Sequence, residues 1–160
     1  MNLYLVHHGD AVGPDVDPRR PLSPIGVDQV NRLAAQAAAR SVRPAVVWHS
    51  GKLRARQTAE AFWKACNPLA TFSATRDLQP DDPPEWIRDR LVCETGDVLI
   101  AGHYPHLPRL LALLLGHPAA AFPLHGVVAL SPDGRVWREE WRLACSGPES
   151  TAALSATSSS

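Results

Sequence analysis

Short apolar runs alternate along this chain with longer stretches whose apolar residues fall on one helical face. Leu3–Val6 is continuously apolar and bounded by polar residues and a glycine, the pattern of a strand buried on both faces of a parallel sheet. Ala45–Trp48, after Pro44, and Asp97–Ala101 repeat that pattern. Between the first two, Ser23-Pro24 offers a capping hydroxyl and a proline at the first helical position. Ile25, Val30, Leu33 and the alanines up to Ala39 then predict an amphipathic helix to about Arg40. A second helix is predicted from about Lys52 to Ala65, ended by Asn67-Pro68, with Leu69–Phe72 as a further strand. Arg76–Trp86 reads as a proline- and acid-rich loop, Ile87–Val92 as a short helix and Leu107–Leu115 as a very apolar one. Val127–Leu130 and Val136–Trp141, on either side of Ser131–Gly134, predict a hairpin. Val12–Leu22 carries Pro14, Pro18 and Pro21 and is a loop.

Strand, helix, strand, helix and again strand, helix implies an α/β fold, a mostly parallel sheet with helices on its faces. Ligands of such sheets bind beyond the carboxyl ends of the strands. Three predicted strands end in polar, histidine-bearing segments: His7-His8-Gly9, His49-Ser50-Gly51 and Gly102-His103. Each alone is equally compatible with a surface turn or a satisfied core contact; their common placement at one sheet edge is what points to a site. Arg54 falls in the first turn of the second helix, where free N–H groups and the helix dipole favour anions and a guanidinium adds paired donors. Lys52 and Arg56 flank it and read first as a solvated helix face.

A length of 160 residues suits a single domain with one substantial core. Sixteen basic residues balance sixteen acidic ones, so no overall field favours nucleic acid or an anionic membrane, and any anion site must be built locally. Cys66, Cys93 and Cys145 are odd in number and lack metal-ligand spacing, as expected of reduced thiols. No apolar stretch is long enough to span a membrane, and with Met1 leading directly into the first strand no signal peptide is expected. A cytoplasmic monomer is expected, with a domain over residues 1–145 and a disordered Ser-, Thr- and Ala-rich tail over 146–160.

Taken in order, five segments resemble the histidine phosphatase superfamily and, within it, the small SixA-type phosphohistidine phosphatases. Leu3–Ala11 is similar to the first-strand signature, where the family usually has Arg-His-Gly. Pro21–Gly26 resembles its PLT-x-x-G helix start, and Ser50–Thr58 resembles SP-x-x-RA-x-QT. Val98–Pro105 resembles the strand that ends in the second histidine, and Phe122–Leu130 the late strand of the short members. The resemblance implies a small version of the phosphoglycerate mutase-like three-layer sandwich. It also implies a covalent phosphohistidine intermediate, with His8 as nucleophile and Arg54 and His103 holding the phosphoryl oxygens. His7, Gly9, Ser50 and Lys52 would complete the substrate site. No cofactor and no metal are implied, because cationic side chains carry the charge.

Two positions depart from the family pattern. His7 stands where a phosphate-binding arginine is usual, and imidazole does not replace a guanidinium at a bidentate site. An unperturbed imidazole titrates near pH ~6.5; at His7 a bound phosphate would favour the protonated ring and Arg54 would oppose it. Pro80 falls where many members carry a glutamate general acid; Asp81, Asp82 and Glu85 are the nearby carboxylates. The expected substrate is phosphohistidine on a protein, or else a small phosphorylated compound, since imidazole leaves more readily than an alkoxide and needs less acid assistance. The alternatives are a catalytically weak or inactive phosphohistidine-binding module and a metal binder using His7, His8, His49 and His103. The last is disfavoured, as no helical His pair or carboxylate–His motif supports it.

Overall fold

The structure, a computed structural model, describes residues 1–145, so the tail expected to be disordered lies outside the described residues. In chain order the elements are β1 (Leu3–His7), α1 (Pro24–Ala39), β2 (Val46–His49), α2 (Leu53–Cys66) and β3 (Thr71–Ala74). They continue with α3 (Pro84–Leu91), β4 (Val98–Gly102), α4 (His106–Leu115), β5 (Val127–Asp133) and β6 (Val136–Leu143). One six-stranded sheet runs β3-β2-β4-β1-β5-β6. Its first four strands are mutually parallel, and the β5–β6 hairpin adds antiparallel to β1. This is the three-layer α/β sandwich with a mostly parallel sheet that the sequence predicts.

The unbroken apolar runs are explained by cover on both faces. Leu3 and Leu5 of β1 point to a core shared with α3 and α4, whereas Tyr4 and Val6 point to one shared with α1 and α2. Leu5 is fully buried, and truncating such a residue to alanine costs about 2–5 kcal/mol. The link from β1 to α1 is tightly tied. Ser23 caps α1 by accepting the Gly26 N–H at 3.0 Å and donates to the Asp10 carboxylate at 2.6 Å. A side chain at Gly26 would run into the Asp10 carbonyl, so this helix can approach the strand end only with glycine there.

Three boundaries differ from the sequence reading. Leu69 is exposed in a turn where Asn67 Oδ1 accepts its N–H, so β3 begins only at Thr71. Pro84 occupies the first turn of α3 rather than a loop, since proline lacks only an N–H that the helix start leaves unpaired anyway. The hairpin strands extend through Asp133, leaving Gly134 and Arg135 as the turn, with Gly134 at φ 64°.

Candidate active site

Register carries the predicted residues to one edge of the sheet. β1 and β4 pair so that His7 lies opposite Gly102, which sets His8 and His103 side by side just beyond the strand ends. Their rings are 5.1 Å apart. β2 ends at His49 opposite Ala101 of β4, and the next residue, Ser50, places its Oγ 2.6 Å from His103 Nε2. His49 itself turns elsewhere: its Nδ1 accepts the Gly51 N–H at 3.0 Å and its ring packs against Phe72. Gly51, at φ 89°, makes the sharp turn that starts α2 beside this edge.

The His8 ring is oriented by its own backbone. Nδ1 lies 2.7 Å from the Gly9 carbonyl, which can only accept, so the proton sits on Nδ1 and the neutral ring keeps a lone pair on Nε2. Burial, with help from Arg54, His125 and Arg20, pulls the His8 pKa down to about 4 against the opposing Gly9 bond. At neutral pH His8 Nε2 is an unprotonated nitrogen, chemically able to act as a nucleophile. Thr58 ties the same region to α2: its Oγ1 accepts the Gly9 N–H at 3.1 Å and donates to the Arg54 carbonyl at 2.8 Å. Glycine is required at position 9 by packing, because an added Cβ would meet Val30 at 2.7 Å and the Gly26 carbonyl at 2.9 Å.

His7, at 5 % exposure, is built into an aromatic stack. Tyr104 lies over one side of its ring at 4.2 Å and 6°, and His125 stacks against it at 5.0 Å and 12°. The backbone N–H of His125 donates to His7 Nδ1 at 2.8 Å, so neutral His7 carries its proton on Nε2 and serves as a donor. Burial, then the neighbouring His8, His125 and Arg54, holds its pKa down at about 3. An unperturbed imidazole would titrate near neutrality; His7 does not. It is an uncharged donor, fixed in one tautomer.

On the other flank stand Arg54 and His103. Arg54 Nε and His103 Nδ1 are buried without a hydrogen-bond partner among the described residues. Burial drives the His103 pKa down to about 2, with His8, Arg54, Lys52 and His7 adding to the shift. Arg54 is also lowered by burial but stays charged, as guanidinium does in proteins. Ser50 Oγ accepts the Lys52 N–H and gives its own proton to His103 Nε2, which leaves the neutral His103 ring protonated at Nδ1; two buried donors thus stand open beside a free imidazole lone pair, a cradle for an oxyanion. Arg20 and Lys52 add positive charge that reaches His8 and His103 respectively. Asp81 and Glu85 are exposed, and Asp82 Oδ2 accepts the Gln79 N–H; among the described residues none of the three hydrogen-bonds to a site histidine.

Sequence reasoning missed His125, Thr58 and Arg20. His125 had a readable signal: β5 pairs antiparallel to β1 with Val127 opposite Val6, so extending that register sets residue 125 against residue 8. A ring nitrogen from each of His7, His8 and His125 lies within 4.8 Å of the others, close enough to raise the question of a metal. The donor set does not suit one. His7 Nδ1 is already engaged by a backbone N–H, its neutral ring presents a proton at Nε2, and Arg54 adds positive charge.

Residues 3–79 match the histidine phosphatase superfamily (branch 1). No curated protein matches the sequence. Among solved structures, the protein histidine phosphatase SixA complexed with tungstate superposes with a TM-score of 0.78 at 23% identity, covering 90% of this chain and 97% of that one. A candidate SixA phosphohistidine phosphatase of Agrobacterium tumefaciens gives 0.76 at 25% identity, covering 89% of this chain and 97% of its own. Phosphoserine phosphatase of Entamoeba histolytica, in complex with 3-phosphoglyceric acid, shares the fold at 12% identity and a TM-score of 0.69, covering 93% and 98%.

Proposed function

The chain belongs to the histidine phosphatase superfamily, and from that premise we propose that it is a SixA-type phosphohydrolase working through a phosphohistidine at His8. The observation that carries this reading is the free Nε2 of His8 beside two buried, unpartnered donors, Arg54 Nε and His103 Nδ1. In the first step His8 Nε2 attacks phosphorus in line and the substrate's bond to phosphorus breaks. In the second, water attacks phosphorus and the N–P bond returns its electron pair to His8. Arg54, His103 and the Nε2–H of His7 hold the three phosphoryl oxygens, so negative charge is met by donors already in place. Ser50 supports His103 by bonding its Nε2, Lys52 adds charge at the rim, and Gly9 fixes the His8 ring through its carbonyl.

The substrate proposed is phosphohistidine carried on a protein. Its leaving imidazole suits a pocket in which, among the described residues, no carboxylate acts on the site histidines, and the relative that binds tungstate is itself a protein histidine phosphatase. The cationic side chains supply the charge a metal would otherwise provide. A cytoplasmic setting agrees with three unpaired cysteines and with the lack, among the described residues, of any helix long and apolar enough to cross a membrane.

The test is hydrolysis of a phosphohistidine peptide in the presence of chelator, with mass spectrometry of the quenched protein at alkaline pH. Turnover and phosphate on His8 are expected. His8→Ala should lose on the order of 10⁴-fold or more in rate. Retention of a tenth of the activity would place the nucleophile elsewhere, and tight peptide binding without turnover would make the protein a phosphohistidine-binding module instead.

A further inference from the structure

Beside the nucleophile stands an imidazole for which the reading above has no use. His125 is half-buried just before β5, within the late segment of the family resemblance but without a role assigned by it. The chain takes φ 52° there, a left-handed conformation uncommon for residues other than glycine and asparagine. Three contacts hold it in that place. Its backbone N–H bonds His7 Nδ1 at 2.8 Å, its ring stacks on His7 at 5.0 Å, and its Nδ1 lies 2.7 Å from the His8 carbonyl. A carbonyl only accepts, so His125 Nδ1 is the donor and Nε2 is the atom left to gain or lose a proton. A site nitrogen of His125 comes within 4.8 Å of those of His7 and His8. That is close enough to touch a group bonded to phosphorus at His8.

The other candidates for proton transfer are spent or absent. His7 and His103 are driven to pKa values of about 3 and 2, chiefly by burial, and stay neutral. The Tyr104 hydroxyl donates to the Phe122 carbonyl at 2.5 Å. None of the charges acting on His7, His8 or His103 is a carboxylate. Among the described residues, only His125 combines a ring held by a backbone carbonyl, partial solvent access and proximity to His8.

We propose that His125 is the general acid and base of this site, a role that rests on His8 being the nucleophile. As His8 Nε2 forms its bond to phosphorus, the departing oxygen or nitrogen keeps the electron pair and takes the proton from His125 Nε2. When water attacks the phosphohistidine, the N–P electron pair returns to His8 and the proton of water passes to His125 Nε2. His125 ends as it began, and the sum is hydrolysis. This residue supplies the proton for which the sequence offers no glutamate, and it extends the substrate class to phosphate esters whose leaving groups need protonation.

The test compares kcat/KM on phenyl phosphate, whose leaving group needs a proton, with that on 2,4-dinitrophenyl phosphate, whose leaving group departs as a stable anion. His125→Asn keeps an amide able to donate to the His8 carbonyl and tolerates positive φ, but transfers no proton. It should lose about 100-fold on phenyl phosphate and less than about threefold on the dinitrophenyl ester, with phosphoenzyme accumulating on the latter. His125→Ala should show the same divergence, and thermal melts should confirm that both variants fold. An equal loss on both substrates would overturn the proposal and leave His125 a positioning residue; so would a loss below about threefold on each. If His8→Ala were as active as the unaltered protein, the nucleophile assignment itself would fail, and the proposal with it.

Discussion

On one flank of His8, Arg54 and His103 offer nitrogens with no partner among the described residues; on the other, each ring has one nitrogen already engaged. Arg54 brings a permanent charge from the start of α2, and His103 hangs from the end of β4 on a single bond to Ser50. Opposite them His7 is wedged between Tyr104 and His125, with its Nδ1 taken by a backbone N–H. The first flank stores unsatisfied polar atoms, which cost stability until an anion arrives. The second spends its hydrogen bonds and stacking on fixing one tautomer of one ring. The contrast teaches that an anion site can be made either by leaving charge-bearing donors open or by orienting neutral ones, and this molecule does both around His8.

The largest effect that probes the contrast is acid unfolding, to which the two flanks should contribute alike. His8, His7 and His103 have folded pKa values of about 4, 3 and 2, mainly through burial. Their unfolded values lie near 6.5. Below that pH the unfolded chain binds protons that the folded protein refuses, so stability is full above pH ~6.5 and falls as pH drops. Three such groups give a slope approaching ~4 kcal/mol per pH unit between about pH 6 and 4. Urea unfolding at several pH values measures the slope. His7→Asn and His103→Asn, one from each flank, should each flatten it by up to ~1.4 kcal/mol per unit. A variant that leaves the slope unchanged would mean its histidine is protonated in the folded protein.

Much of this arrangement is legible in the sequence because it depends on local patterns. Buried strands announce themselves as apolar runs, and the residue after the run is delivered to the sheet edge, which is how His8, Ser50 and His103 are found. Arg54 follows from its place in the first turn of a helix. His125 does not follow, because the short segment after Phe122 shows no periodicity and its meaning comes only from antiparallel register with β1. Thr58 is likewise hidden: a buried threonine in a helix looks like packing until its hydroxyl is seen joining Gly9 to Arg54. Nor does sequence reveal that His7 is neutral, since that is fixed by burial and by which neighbours touch the ring.

Arg54→Ala sharpens the contrast from the charged flank. Losing a charge-assisted donor should weaken phosphate inhibition by about 1.5–3 kcal/mol, roughly 10- to 150-fold. Because Arg54 Nε is buried without a partner, its removal should leave the melting temperature unchanged or slightly raised. Calorimetry with phosphate, alongside a melt, reads both quantities. A large loss of stability without a loss of phosphate affinity would make Arg54 structural.

The smallest effect comes from converting the stacked flank into the charged kind. In His7→Arg a guanidinium can lie between Tyr104 and His125, since it stacks on aromatic faces as imidazole does. It brings a charge that does not titrate, and phosphate should bind about tenfold more tightly than to the unaltered protein. The same change strands the His125 N–H, which loses its acceptor at His7 Nδ1, so stability should drop by about 1–3 kcal/mol. Affinity and stability therefore move in opposite directions, which a simple packing defect would not produce. The pH dependence separates the two descriptions of His7. Protonation of phosphate affects both proteins equally and cancels in the ratio of their affinities. With His7 neutral down to about pH 3 in the free protein, that ratio should be flat between about pH 6.5 and 8.5, even allowing for the pull of a bound anion on the ring. A ratio that shrinks steadily across that window as pH falls would mean that His7 gains its proton there, and that the stack does not hold it neutral.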